Sequence, residues 1–276
     1  MTSTRSYTLQ ILFGCSLWLS ACTAANIPMP SLRSNRISNS LSANNENSYF
    51  ESQDWVKVSE APPQIVNQPI GARVELECEA VGSPSPTIQW IKGTTTLTEN
   101  DSYESNMISD TINQGLSKIK SRLIINSLLP VHQGPFTCVA TSGSQTALAT
   151  TNIFVLQGKL TGQRNFSDYL NTNMIPLAHP KVRIVLFNTI VMELMGTDLI
   201  LPCKAVGSPK PDIFWIDANN EQIISNQDPR FKVLADGELR IKDLSWPDMG
   251  AYTCVARNDY SKDTITTFVY PVLNEN

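Results

Sequence analysis

Histidine is scarce: His132 and His179 are the only two in 276 residues. A multi-histidine metal centre is therefore excluded, and a nucleophilic triad has almost no base to draw on. No Gly-x-Ser-x-Gly, His-Glu-x-x-His or Walker loop occurs either. The short motifs of hydrolytic and phosphoryl chemistry are thus missing, and the chain reads as a non-enzyme with no cofactor and no metal. It also lacks a basic surplus. With 21 Lys and Arg against 25 Asp and Glu, the formal charge is -4, the wrong sign for neutralising phosphates, so no nucleic-acid partner is expected. No apolar run approaches the ~20 residues that span a bilayer. The ending Val-Leu-Asn-Glu-Asn is no anchor signal, so no membrane anchor is expected.

What is present begins with an export signal. Leu9 to Leu19 is an apolar run of signal-peptide length behind Arg5, and small residues follow. Cleavage near Ala24 would remove residues 1–24 and leave a secreted chain. Leu19-Ser20-Ala21-Cys22 also matches a bacterial lipobox, with Cys22 as the lipidated residue. Cys15 and Cys22 lie in or beside the leader, which leaves Cys78, Cys138, Cys203 and Cys254. Four cysteines in an oxidising compartment allow three pairings. Cys-x-x-Cys spacing, as a redox or zinc site would want, is absent.

An internal repeat organises the remainder. Residues 78–91 read CEAVGSPSPTIQWI and residues 203–216 read CKAVGSPKPDIFWI, identical at ten of fourteen positions with an offset of 125. Such a long offset indicates a duplicated domain rather than a solenoid, whose repeats are nearer 20 to 50 residues. In each copy alternating apolar residues lead into the cysteine, a Gly-Ser-Pro turn follows, and Trp90 or Trp215 comes twelve residues after it. A Leu-x-Ile-x-x-Leu strand and the second cysteine complete each copy.

This ladder resembles the immunoglobulin fold of the intermediate or C2 type, which implies an all-β chain of two sandwich domains in tandem. The resemblance pairs Cys78 with Cys138 and Cys203 with Cys254, with Trp90 and Trp215 packed on the bridges. Each closes a loop of roughly 50 to 60 residues, worth roughly 4 kcal/mol in the chain-entropy model. In the second copy Asp248-Met249-Gly250-Ala251-Tyr252-Thr253-Cys254 matches the fold's Asp-x-Gly-x-Tyr-x-Cys. It implies a tyrosine corner at Tyr252 and an ion pair between Arg230 and Asp248. The first copy has His132 for the Asp and Phe136 for the Tyr, and His132 reads as a surface residue.

The expected boundaries are a signal peptide at 1–24 and a disordered Ser/Asn-rich stretch at 25–54. The first domain follows at 55–157, a linker at 158–180 and the second domain at 181–276. Sequons at Asn100 and Asn165 predict glycans in the first domain's inserted loop and in the linker. Two apolar runs, Val182 to Phe187 and Thr189 to Met195, read either as first-strand core or as an exposed patch.

Within the second copy the match narrows. Val233-Leu234-Ala235-Asp236-Gly237, Trp246-Pro247-Asp248-Met249-Gly250 and Phe268-Val269-Tyr270-Pro271-Val272-Leu273-Asn274-Glu275 resemble the insect neural/ectodermal development factors, also called imaginal morphogenesis protein-Late. That resemblance covers about residues 50–276. It implies a secreted protein that captures an insulin-like peptide hormone and so restrains insulin-receptor signalling and growth. The expected contacts are Phe166, Tyr169 and Leu170 in the linker and Ile184, Leu186 and Phe187 in the first strand of the second domain. The competing readings are a soluble immunoglobulin-type adhesion or guidance factor and a microbial pattern receptor.

Overall fold

The fold is that of a computed structural model, which describes residues 54–97, 113–156, 180–217, 219, 221–223 and 228–273. The export segment, nearly all of 25–54, the two sequons and the linker contacts Phe166, Tyr169 and Leu170 lie outside the described residues.

The first copy runs through β1 (Trp55–Glu60), β2 (Ile65–Pro69), β3 (Val74–Ser83), β4 (Thr87–Lys92), β5 (Thr95–Thr96), β6 (Leu116–Ile125), β7 (Gly134–Ser142) and β8 (Gln145–Leu156). The second runs through β9 (Arg183–Leu194), β10 (Leu199–Leu201), β11 (Cys203–Val206), β12 (Asp212–Ile216), β13 (Phe231–Val233), β14 (Leu239–Ile241), β15 (Gly250–Arg257) and β16 (Lys262–Val272). Period-two alternation builds the strands. In β3, Val74, Leu76, Cys78 and Ala80 join the first core, while Glu75 and Glu77 take the other face. Disulfides link Cys78 to Cys138 and Cys203 to Cys254. Trp90 and Trp215 are fully buried, donating to Ser121 Oγ at 3.1 Å and to the Gly237 carbonyl at 2.9 Å.

The first copy's second layer is a five-stranded sheet in the order β2-β8-β7-β4-β5. Its other layer does not end at its own edge. β6 pairs antiparallel with β9, from Leu116 opposite Met192 to Ser121 opposite Leu186, and the two copies share one eight-stranded sheet. Pairing covers a strand edge that would otherwise expose its backbone donors and acceptors.

β9 is the hinge of this arrangement. Its first half pairs antiparallel with β11 and its second half parallel with β16, while β6 flanks both halves across a bulge that skips Thr189. Residues 184–188 are buried whichever way they point, as in a strand covered on both faces. Leu186 enters the first domain's core, whereas Ile184 and Phe187 enter the second's. The expectation that these three form a hormone-contact surface is corrected accordingly: they are 0, 2 and 4% exposed for Ile184, Leu186 and Phe187.

Polar clasps hold the same seam. The buried Asn113 amide donates to the Ile200 carbonyl at 2.7 Å and accepts the Ile200 N–H at 3.0 Å, so one side chain imitates a strand partner at β10. The carboxylate of Glu193, 1% exposed, accepts the Gly115 N–H at 2.9 Å. A Cβ on Gly115 would stand 2.0 Å from the Met192 carbonyl oxygen, which is why glycine is needed there.

Candidate functional site

Arg230, Asp248 and Tyr252 brace the turn that leads into β15. Arg230 donates two hydrogen bonds to the Asp248 carboxylate, at 3.0 and 2.9 Å, and the Tyr252 hydroxyl donates to the Asp248 carbonyl at 2.9 Å. Asp248 also accepts the Ser245 N–H at 2.9 Å, capping the short 3-10 turn Trp246–Asp248. Burial pushes the Asp248 carboxyl up. The bonds from Arg230 and Ser245 pull harder, so it sits below the usual carboxylate range.

His132 occupies the matching position of the first domain and is corrected from surface to interior, at 2% exposure. Its Nδ1 accepts the Leu129 N–H at 2.9 Å, the bond that Asp248 makes in the second domain. An imidazole acceptor thus replaces the carboxylate without needing an arginine, and Phe136 fills the tyrosine's place in the core without a hydroxyl. Burial, then the Lys92 charge, pushes the His132 pKa down from 6.5.

The unfolded chain therefore takes up this proton more readily than the folded one. The His132 contribution is full above 6.5 and declines as pH falls below it. We expect the urea midpoint to fall between pH 7.5 and 5.5, and to fall by less in His132→Asn, whose amide oxygen accepts without titrating. Equal slopes in the two proteins would contradict this assignment. The Asp248 contribution is lost only at lower pH, as carboxylates begin to protonate.

The exposed apolar residues converge elsewhere, on the outward face of the shared sheet. In β9 and β16, Val191 and Val269 point into the second core and Thr267 is buried beside them, so Ile190, Met192, Phe268 and Tyr270 point out. Register sets Phe268 beside Ile190 and Tyr270 beside Met192. On the other flank Leu116 and Lys118 of β6 stand opposite Met192 and Ile190. The apolar row of Leu116, Met192 and Tyr270 therefore runs across strands from both domains, and that of Ile190 and Phe268 ends at Lys118. Ile190, Met192, Phe268 and Tyr270 are 43, 36, 43 and 37% exposed. Trp246, half exposed, packs edge-on against Tyr270 with ring centroids 5.8 Å apart, and the exposed Met249 follows the same turn.

Charge borders this patch on the first-domain side. Lys118 pairs with Glu79, Lys120 with Glu60 and Arg122 with Glu77, each at 2.7 Å, and Arg183 with Glu75 at 2.6 Å. Burial raises the Glu77 carboxyl, but the bond from Arg122 and the charges of Arg122, Lys120 and Arg183 outweigh it and hold the pKa low. Single exposed pairs contribute little. A ladder of them across β3, β6 and β9 orients the strands and leaves few free charges near the apolar rows. Contiguous exposed apolar surface with a polar border is the mark of a protein-binding site.

Sequence reasoning includes Ile190 and Met192 in a run that is either core or exposed patch and does not single out Trp246, Phe268 and Tyr270 as exposed side chains of the same face. The available signal was large apolar residues at both parities of β9 and at outward positions of β16, where a solvated face carries polar ones. Among the described residues no group of three His, Cys, Asp or Glu side chains could hold a metal ion. Among them also, no helix is long and apolar enough to cross a membrane.

Two disulfide-closed sandwiches that share one sheet define a tandem immunoglobulin-domain protein. Residues 57–142 match the immunoglobulin domain model and residues 180–270 the immunoglobulin I-set domain model. The chain is 37% identical over 246 residues to the neural/ectodermal development factor IMP-L2 of Drosophila melanogaster, covering 88% of this chain and 87% of that one. It is 29% identical to the Zwei Ig domain protein zig-4 of Caenorhabditis elegans, over 82% of this chain and 83% of the relative. The fold superposes on a crystal structure of IMP-L2 with a TM-score of 0.63 and 34% identity, covering 81% of this chain and 97% of the other. The chain belongs to the neural/ectodermal development factor family, a non-enzymatic family of immunoglobulin-type extracellular proteins.

Proposed function

We propose that this chain is a secreted protein that captures an insulin-like peptide and thereby antagonises insulin-receptor signalling and growth. The mechanism is stoichiometric masking. A compact hormone whose receptor-binding surface is apolar docks on the face formed by Ile190, Met192, Phe268 and Tyr270, with Trp246 at its border. The observation that carries this reading is that apolar face, because it is exposed, spans both domains and lies beside paired rather than free charges. Association removes apolar area from water on both partners, and large aromatic side chains at the centre supply most of the binding energy.

The same proposal includes removal of residues 1–24, domains over 55–157 and 181–276 joined by 158–180, and glycans at Asn100 and Asn165. Phe166, Tyr169 and Leu170 remain proposed contacts from the linker.

The test is calorimetric titration of the secreted, disulfide-intact full chain with a purified insulin-like peptide. Binding with one hormone per chain and a dissociation constant below about 1 µM is the expected result. No heat and no binding at that concentration, with both disulfides verified, would overturn hormone capture and make cell-surface adhesion the leading reading.

A further inference from the structure

The five-stranded sheet of the first domain presents a second apolar face, on a different layer from the hormone face. Alternation sends Val66, Ile153 and Val155 towards the core and Ile65, Phe154 and Leu156 out, with Leu148 also outward. Ile65 and Leu148 are 59 and 64% exposed. No Lys, Arg, Asp or Glu stands at an outward position of this sheet. Outward residues are Thr, Gln and Ile on β4, Pro, Thr, Val and Thr on β7, and Thr, Leu, Thr, Asn, Phe and Leu on β8. The hydroxyls of Thr137 and Thr150, which face each other across β7 and β8, bond to one another at 2.8 Å. The outward side of β3 and β6 is the reverse, a ladder of acids and bases.

We infer that this uncharged face packs on the same face of a second copy, forming a two-fold symmetric dimer. The chain carries a formal charge of -4, so repulsion between two copies is least when the surfaces that meet are free of charge. A charged partner would lose hydration on this face and find nothing to pair with. The face itself is uncharged, mixing apolar side chains with threonine, glutamine and asparagine, and a two-fold interface requires only that one patch complement itself.

The five strands hold 5, 12, 9, 6 and 2 residues, and at roughly 3.3 Å per residue and ~4.8 Å between strands they project to roughly 540 Å². Standard interfaces bury roughly 800 Å² per partner, so this face suits an interface at the lower end of that class. Because the hormone face lies on the other sheet, each copy in the dimer keeps its own face open. This inference stands independently of the hormone reading.

The experiment is sedimentation equilibrium of the secreted full chain from about 1 to 100 µM, with two variants of this face and one of the other. The wild-type mass is expected to reach that of two chains. Leu148→Asp is expected to return it to that of one. Phe154→Thr does the same by another route, turning residues 152–154 into an Asn-Ile-Thr glycan acceptor on an outward position. Both sites are exposed in the fold, and unchanged thermal melting of either variant certifies its folding. Phe268→Asp, on the hormone face, is expected to remain dimeric. Three outcomes would each overturn the proposal: a monomeric wild type throughout the range, as when residues 157–179 or another partner cover the face; a dimer that survives both substitutions; or a dimer lost in Phe268→Asp.

Discussion

Phe268→Asp is expected to weaken binding of an insulin-like peptide by at least a hundredfold, about 2.8 kcal/mol at 1.4 kcal/mol per factor of ten. Phe268 stands between Ile190 of β9 and Ala251 of β15 in the register of the shared sheet, so it lies inside the apolar rows rather than at their border. A docked hormone would remove it from water. The substituted carboxylate would lose its hydration with no cation opposite, since Lys118, the nearest base across β9, is already paired with Glu79 at 2.7 Å. The free protein should tolerate the change, because Phe268 is 43% exposed and belongs to neither core. Calorimetric affinity, with thermal melting as the control, checks this. A folded variant that binds within threefold of wild type would move the hormone site off this face.

The second large effect concerns stability. Leu186→Ala is expected to cost about 2 to 5 kcal/mol, the range for removing a buried leucine side chain from a packed core. The informative part is where that loss is felt. Leu186 lies on β9, the first strand of the second domain, yet its side chain packs into the first domain's core with Ile119 and Leu123. The backbone two residues before it is held by Arg122, which donates to the Ile184 carbonyl at 2.9 Å, and by Asp263, which accepts the Ile184 N–H at 2.9 Å. Unfolding should therefore be one cooperative transition, shifted as a whole by this substitution. Chemical denaturation followed by tryptophan fluorescence and by hydrogen exchange of β3 and β15 provides the readout. Two separate transitions, with that of the first domain unmoved, would show that the shared sheet does not couple the domains.

Local patterns made the sandwiches legible. Cysteine-to-tryptophan spacing, alternating apolar residues before Cys78 and Cys203, and the Asp-x-Gly-x-Tyr-x-Cys run at 248–254 each report contacts within one copy, and the bonds of Arg230 and Tyr252 to Asp248 follow from them. His132 reads as a surface residue from sequence because a histidine in the turn before a strand is ordinarily solvated, whereas here it is buried. Only its inward geometry makes it the acceptor for the Leu129 N–H.

The runs Val182 to Phe187 and Thr189 to Met195 admitted two readings, and each describes one part of β9. The first half is core on both sides, and the second alternates between core and open face. Nothing local distinguishes these halves, because the core that receives Leu186 is built from residues of the first copy.

By itself, then, the sequence determined the duplication, the all-β class, the residues that bridge and brace each domain and the absence of catalytic motifs. These are set by spacing and alternation within about sixty residues, a range over which side-chain identity reports burial directly. The joining of two sandwiches into one sheet, and with it the apolar face of Ile190, Met192, Phe268 and Tyr270, was decided only in the tertiary structure. An apolar residue in a strand is compatible with either side of a sheet, and its exposure depends on which strand pairs beside it and in what register.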